Sequence, residues 1–267
     1  MALAALVITG QAWLRVNRPA LDLAASVASV RWEPERIASL RHPRARIAGA
    51  WRLQASDPRV GGFSGLAVDR GRLLGLTDSG MLVWLPLPPG EGVAIVRPLP
   101  AVAGRPGTKI GRDSEALARS EDGWWVAFEQ RHHLIRYDRD LREAVQRIAL
   151  EGRRLRANRG VEAISAGAGR LWAYPERSGI SDAVAVTEGH DLLLHRRFGV
   201  RGFATRIAGV AGGDIALSLA PLDNAEGLAA QSLAGGAMRL WVITDNDQRR
   251  WKRTLLVAID LPPASGG

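Results

Sequence analysis

Residues 113–130 read DSEALARSEDGWWVAFEQ, and this stretch places two carboxylates, Glu115 and Glu129, 14 residues apart. Glu115 opens one apolar run and Glu129 closes the next. The same spacing recurs along the chain, together with one longer version. The other pairs are Ser64 with Asp78, Glu162 with Glu176, Asp182 with Arg196 and, across 19 residues, Glu226 with Asp245. Internal repetition at a fixed spacing predicts a repeat architecture.

Short apolar runs separated by Gly, Asp, Asn and Pro fill the chain from about residue 45 onward, a pattern typical of an all-β fold. Each repeated unit reads as an inner strand that turns back into a second strand, as in one blade of a β-propeller. We expect about five blades, with four or six as alternatives. The units that begin at 162 and 182 are too close for a complete blade, so the third unit is expected to lack its outer strands.

Two strand-like segments remain unassigned to a unit, RIAGAWRLQA (46–55) and TLLVAIDL (254–261). Propellers are often closed by pairing of the chain ends, so we expect both segments in one blade. The propeller domain is then residues 45–262, with 263–267 as a tail. A stretch around 33–41 is the one candidate for a helix.

The composition excludes several classes of protein. A chain of 267 residues with 46% apolar residues can fold as one domain with a sizeable core. Its net charge is +9, but the arginines are dispersed over the whole length, whereas nucleic-acid binding usually shows as a concentrated basic patch. We therefore expect no nucleic-acid partner. The absence of cysteine excludes disulfides and thiolate metal sites.

Residues 1–44 are interpreted as a signal remnant or an N-terminal arm. The opening MALAALVITG is too short to span a bilayer but resembles the apolar region of a secretory signal. It is either the end of a signal that begins upstream or an arm of the domain. We expect a periplasmic or secreted monomer whose mature domain has no membrane span.

The first strand of each propeller blade lines the central channel, so equivalent residues of the repeats converge near the axis. Carboxylates that face one channel repel one another unless a cation or an arginine lies among them. Oxygen ligands without His or Cys favour Ca²⁺ or Mg²⁺. Alternatively, each acid accepts backbone N–H bonds from the next blade and is a structural latch. The expected ring consists of Ser64, Glu115, Glu162, Asp182 and Glu226, and a second set of Asp78, Glu129, Glu176, Arg196 and Asp245.

The same segments carry a family resemblance. In order, DPRVGGFSGLAVDRGRLLGLTDSG, RDSEALARSEDGWWVAFEQRHHLIRYD, NRGVEAISAGAGRLWAYPE, GHDLLLHRRFG and DNAEGLA…LWVITDND resemble the successive motifs of the phytase-like family, also called esterase-like activity of phytase. The resemblance covers about residues 50–260. It implies an exported β-propeller that hydrolyses an ester or phosphate ester of a small molecule.

Residue by residue, the resemblance implies a set of functional side chains, to which the hydrolase hypothesis adds Arg112 as a group that neutralises phosphate. We divide them into three sets. The catalytic set is Glu115, Glu162, Glu226 and Arg196. The substrate-binding set is Arg112, Asn158, Arg197 and Asn224. The metal-binding set, expected to hold Ca²⁺, is Asp78, Asp113, Glu129, Glu176, Asp245 and Asn246.

Two functional hypotheses remain open at the level of sequence. In the first, carboxylates hold a cation and the protein is a metal-dependent esterase or phosphoesterase. In the second, the propeller is not an enzyme and binds a ligand or partner, with the repeated acids as structural latches. Fold alone cannot decide, because propellers host many activities.

Overall fold

A computed structural model describes residues 22–37, 39–100, 112–129, 132–150, 160–187, 190–247, 249 and 252–263. Within these ranges the chain is all-β, with short 3₁₀ turns at Glu176–Ser178 and Ala234–Gly236 and no α-helix. The strands are β1 (Ser26–Pro34), β2 (Ser39–Arg41), β3 (Arg46–Ala55), β4 (Phe63–Asp69), β5 (Arg72–Thr77), β6 (Met81–Leu85), β7 (Gly90–Pro98), β8 (Ser114–Ser120), β9 (Gly123–Phe128), β10 (His133–Tyr137), β11 (Ala144–Ala149), β12 (Val161–Gly167), β13 (Arg170–Pro175), β14 (Ile180–Thr187), β15 (His190–Gly199), β16 (Gly202–Ala208), β17 (Ile215–Ser218), β18 (Asn224–Ser232), β19 (Met238–Asp245) and β20 (Leu255–Leu261).

These strands form five antiparallel blades that follow one another along the chain. Blade one is β4–β7, blade two is β8–β11, and blade three is the two-stranded pair of β12 and β13. Blade four is β14–β17 with β2 added at its outer edge. Blade five is β18–β20 completed by β3. The expected loss of the outer strands of unit three is confirmed for the described residues.

The inner strands close into a ring. Strand β4 contacts β8, β8 contacts β12, β12 contacts β14, β14 contacts β18, and β18 returns to β4. Each inner strand therefore has a neighbour on both sides, and the ring surrounds one axis. The protein is a five-bladed β-propeller, as the repeat spacing predicts.

Apolar side chains fill the interface between each pair of neighbouring blades. The described residues form five buried clusters, one for each interface of the ring. The cluster between blades three and four is the smallest, with Ala163, Ile180 and Ala183 as its buried members. Trp172 on β13 is 52% exposed, and among the described residues no third strand of blade three covers it.

The chain ends close the ring in the expected manner. Strand β20 pairs with β3 in antiparallel register, with Leu256 opposite Trp51. The two segments left over from the repeats, 46–55 and 254–261, thus share blade five. This prediction is confirmed.

Strand β1 is an addition that the repeat pattern does not contain. It pairs with β3 on one side and β7 on the other, so it joins the outer edges of blades five and one into a nine-stranded sheet. Its buried residues, Ala28, Val30 and Trp32, alternate with exposed ones, which is the period of a half-buried strand. The helix expected around 33–41 is wrong, because this segment contains the end of β1 and the short strand β2.

The β-structure begins at Ser26, before residue 45, where the sequence predicts the start of the propeller domain. The signal remnant or N-terminal arm was expected over residues 1–44, but strands β1 and β2 of this range belong to the propeller. Residues 1–21 lie outside the described residues, and for them the expectation stays a prediction. No helix among the described residues has the length and hydropathy needed to cross a bilayer.

The role of β1 as a structural bridge predicts the effect of truncating Trp32. This side chain is 3% exposed and donates its indole N–H to the carbonyl oxygen of Pro86 at 2.9 Å. Trp32→Ala is expected to lower the free energy of unfolding by about 3–5 kcal/mol, measured by chemical denaturation. Val27 lies on the same strand and is 70% exposed, so Val27→Ala is the matched control, with an expected change below about 0.5 kcal/mol. Equal stability of the two variants would mean that β1 is not part of the cooperative fold.

Candidate functional site

Every inner strand carries a β-bulge near its start. The register shifts by one residue at this point in all five blades, so that the second or third residue of the strand has no partner on the next strand. A bulge of this kind re-aims a side chain away from the regular alternation of the sheet. The bulged residues are Ser64, Glu115, Glu162, Ser181 and Glu226.

The bulge corrects one assignment made from the sequence. In blade four the residue equivalent to Glu115 is Ser181, whereas the spacing of 14 residues points to Asp182. The reason is a second irregularity between Ala185 and Thr187, which adds a residue to β14. Arg196 is at the position equivalent to Glu129, as expected. The backbone N–H of Arg196 donates to Gly179 O at 3.0 Å, and the backbone N–H of Glu129 donates in the same way to Asp113 O at 2.9 Å.

Side chains do tie neighbouring blades together, but serine hydroxyls rather than the glutamates make these first contacts. Ser64 Oγ donates to Ser114 O and Ser114 Oγ donates to Thr77 O, both at 2.7 Å, so that blades one and two are tied in both directions. Ser181 Oγ donates to Ala225 O at 3.0 Å and ties blade four to blade five.

Asp182 is a second kind of latch. Its side chain is fully buried, and its two oxygens accept the backbone N–H groups of Ala183 at 2.8 Å and Leu228 at 2.6 Å. Burial raises the pKa of Asp182 well above its ordinary value, although the backbone N–H groups of Leu228, Ala183 and Leu66 act to lower it. Asp182 thus links blade four to blades five and one.

The acids of blades two and three converge at the axis. Two groups of three carboxylates each offer one oxygen, and the oxygens of a group lie within 4.8 Å of one another. Glu129 belongs to both groups, so they form one continuous acidic site, which we call the acid cluster. Its members are Asp113, Glu115, Glu129, Glu162 and Glu176. Acidic side chains at this separation can hold a cation.

The pKa values of two glutamates are raised, first by burial and then by the neighbouring acids. Burial raises the pKa of Glu162 to about 7, and Glu129, Glu176 and Asp113 raise it as well, against the opposing effect of Arg196. Burial also raises the pKa of Glu226 to about 7, with Glu162 adding to the shift and Arg196 opposing it. Glu162 and Glu226 therefore lie within electrostatic range of each other, and the acid of blade five joins those of blades two and three.

Arg196 from blade four is fixed against Glu226 by a three-residue network. Its Nη1 donates to Asn224 Oδ1 at 3.0 Å and forms an ion pair with Glu226 Oε1. Asn224 Nδ2 donates to the same Glu226 oxygen at 2.7 Å. Three residues expected in the site are thereby brought together, and the guanidinium is held in one orientation beside Glu162.

Three residues assigned to the metal set lie around this centre. Burial, then the interaction with Asp247, raises the pKa of Asp245 above its ordinary value, and Glu226 contributes to the shift. Asn246 Oδ1 accepts the backbone N–H of Gly62 at 2.9 Å and so joins blade five to blade one. Asp78 directly follows β5, and its backbone N–H donates to Gly62 O. It belongs to neither of the two carboxylate groups that form the acid cluster.

The substrate-binding set is largely dispersed. Arg112 is buried, and its guanidinium donates to the backbone carbonyls of Ser79, Gly80 and Leu99, so that it holds a turn of blade one. Arg197 is exposed, because successive side chains of a strand point to opposite faces and Arg196 takes the inner one. Asn158 lies outside the described residues.

Two aromatic residues of the site were missed by the sequence analysis. Phe198 and Phe203 line a pocket of about 460 Å³ together with Glu162, Glu176 and Arg196. The signal in the sequence is FGVRGF directly after the Arg pair, a glycine-flanked turn between two aromatic residues. The sequence does not give the pairing register of the hairpin that contains this segment, so it does not place the aromatic pair beside the acids.

The fold and the site together define a five-bladed propeller with an acid cluster at its axis. The family model Phytase-like, esterase-like activity of phytase, matches residues 58–179, and this confirms the resemblance found in the sequence. The matched segment runs through blades one to three and contains all five members of the acid cluster. The protein is a five-bladed propeller whose first three blades are similar to the phytase-like family.

Solved structures with a similar course of the chain have low sequence identity. The glutaminyl cyclase of Myxococcus xanthus is 12% identical with a TM-score of 0.49, over 81% of this chain and 97% of that one. The Pan2 WD40 domain of Neurospora crassa is 10% identical with a TM-score of 0.34, over 87% of this chain and 98% of that one. No curated protein matches the chain. The fold assignment rests on the ring of inner strands.

The raised pKa values predict how stability depends on pH in metal-free protein. Glu162 and Glu226 have an ordinary pKa of 4.5 and a folded pKa of about 7. Their contribution to stability is therefore fully present below about pH 4.5 and is lost as the pH rises through about 7. In the presence of a chelator, the thermal midpoint is expected to fall by roughly 5 °C between about pH 5 and about pH 8.

Two variants test the origin of this fall. Glu162→Gln removes one of the crowded charges and is expected to reduce the fall. Glu121 is an exposed acid in the turn after β8, and Glu121→Gln should leave the fall unchanged. Added calcium should raise the midpoint at the higher pH by mass action. A midpoint that is constant over the whole range would contradict the crowding of the acids.

Proposed function

We propose that the protein is a calcium-dependent hydrolase that cleaves an ester or phosphate-ester bond of a small molecule at the propeller axis. The observation that carries the proposal is the convergence of five carboxylates, with oxygens within 4.8 Å in each of two groups that share Glu129. The family match, which contains these acids, supports the same reading.

The acid cluster fits a hard divalent cation. Calcium binds six to eight oxygens at about 2.3–2.6 Å, so two oxygens on opposite sides of one ion are about 5 Å apart. The separations within each group are compatible with this geometry. Neither group contains a histidine, which disfavours zinc and copper. Asp113, Glu115 and Glu129 would hold the ion, and Glu162 and Glu176 lie on the other side of the shared Glu129.

A bound cation would polarise the substrate oxygen and lower the pKa of a water molecule. Glu162 lies beside these acids, and its carboxylate is suited to take the proton of that water. The water oxygen would then bond to the acyl carbon or phosphorus as the bond to the alcohol oxygen breaks, and the alcohol would leave with the proton that Glu162 took from the water.

Arg196 supplies positive charge where the reacting group gains negative charge. Asn224 and Glu226 fix its Nη1, so the remaining N–H groups need no reorientation during the reaction. Preorganised donors of this kind stabilise developing charge better than mobile ones. In this account Asn224 and Glu226 are positioning residues, and Glu162 and Arg196 act on the substrate.

The test is a panel of ethyl esters and phosphate monoesters. Ester hydrolysis is measured by pH-stat titration, and phosphate-ester hydrolysis is measured by the release of phosphate. Hydrolysis is expected with calcium and is expected to stop in excess chelator. At saturating calcium, Glu162→Gln should lower kcat by about a hundredfold to a thousandfold. Glu121→Gln is again the matched control, with unchanged kcat.

Two results would contradict the proposal. Hydrolysis that persists in chelator would remove the metal from the mechanism. A lack of turnover on the whole panel, with calcium bound and the protein folded, would favour a propeller that binds a ligand without catalysis.

A further inference from the structure

The hairpin of β15 and β16 presents an aromatic pair at the mouth of the axial pocket. Phe198 and Phe203 are opposite each other in the register, and their ring centroids are 5.0 Å apart with an interplanar angle of 58°. Phe198 is 69% exposed. A phenylalanine contributes to folding mainly when it is buried, so this exposure at a pocket is an indication of binding.

The pair is part of the same pocket as the catalytic groups. Both rings line the cavity of about 460 Å³ whose other wall carries Glu162, Glu176 and Arg196. The guanidinium carbon of Arg196 is 6.0 Å from the centroid of the Phe203 ring, so the cation links the polar and the apolar ends. The cavity has a size typical of small-molecule sites.

The pocket is also lined by Gly179 and Ile180, and Gly179 contributes no side chain that would take up its space. Gly179 lines the pocket, and a Cβ added there would have Arg196 O at 3.8 Å as its nearest neighbour. Arg196 is already paired with Glu226, and therefore an uncharged group beside it leaves no ionic partner unsatisfied. The apolar end of the pocket thus suits an uncharged planar group.

We propose that Phe198 and Phe203 form a subsite for an apolar, preferably aromatic, acyl group, so that the substrate is an ester of an arylacetic type of acid. The proposal names the substrate class of the proposed hydrolase and rests on that function for its catalytic part. Burial of a phenyl ring against two aromatic faces gives both contact area and edge-to-face geometry. The ester carbonyl then lies between the rings and Glu162.

The experiment has a binding arm and a turnover arm. In the first, phenylacetamide and acetamide are titrated against the calcium-loaded protein by NMR, because amides report binding independently of ester hydrolysis. Phenylacetamide is expected to bind at least about tenfold more tightly. In the second, kcat/KM for ethyl phenylacetate is expected to exceed that for ethyl acetate by at least the same factor.

Phe198→Ala and Phe203→Ala are expected to reduce both ratios to within about twofold of one. Val200 lies at the tip of the same hairpin and is fully exposed outside the pocket, so Val200→Ala is the matched control and should retain both ratios. Phe198→Tyr keeps the ring and should also retain them, which separates loss of the subsite from loss of folding.

The outcomes distinguish this inference from the function on which it rests. If the aryl amide is preferred and depends on both phenylalanines while neither ester is hydrolysed, the subsite stands and the hydrolase is wrong. If both esters are hydrolysed equally and the two amides bind alike, the hydrolase stands and the subsite is wrong. Loss of the preference in Val200→Ala would indicate that the hairpin tip docks a larger partner, and would overturn the proposal.

Discussion

Five inner strands meet around one axis, and each is the innermost strand of its sheet. One edge of its backbone therefore pairs with no further strand, although the neighbouring blades contact it. The backbone groups of such an edge must find partners or lose stability, since an unsatisfied buried polar group costs about 1–3 kcal/mol. Serine hydroxyls and the carboxylate of Asp182 supply these partners across the blade interfaces. The closure of the ring therefore depends in part on short polar side chains at the starts of β4, β8 and β14.

This arrangement leaves the longer acids available for another purpose. The bulge that positions Ser64 and Ser181 for the backbone of the next blade points Glu162 and Glu226 toward shared space, where their pKa values rise to about 7. Crowding of this kind costs stability unless a cation or Arg196 offsets it. Perturbed pKa values concentrate at functional sites, and this supports the proposed role of the acid cluster.

Much of the fold is readable from the sequence, because a polar residue recurs at a similar spacing along the blades and the strands left over at both ends can pair. The sequence does not reveal that Ser181, rather than Asp182, is the bulged residue of blade four. Asp182 is 14 residues from Arg196, as in the other repeats, but an extra residue in β14 moves the equivalent position to Ser181. Strand β1 was missed because it lies outside the repeats. The roles of Arg112 and Phe198 depend on which neighbours the folded chain brings to them, and no local pattern contains that information.

The central claim is that Asp182 is a latch and that the acid cluster is not. The most direct test compares the free energies of unfolding of metal-free Asp182→Asn and Glu162→Gln near neutral pH. Both oxygens of Asp182 accept backbone N–H groups, and an amide nitrogen cannot, so Asp182→Asn is expected to cost about 2 kcal/mol. Glu162→Gln removes a crowded charge and should leave stability unchanged or slightly higher. An equal loss in both variants would show that Glu162 is itself a structural latch and would contradict this account.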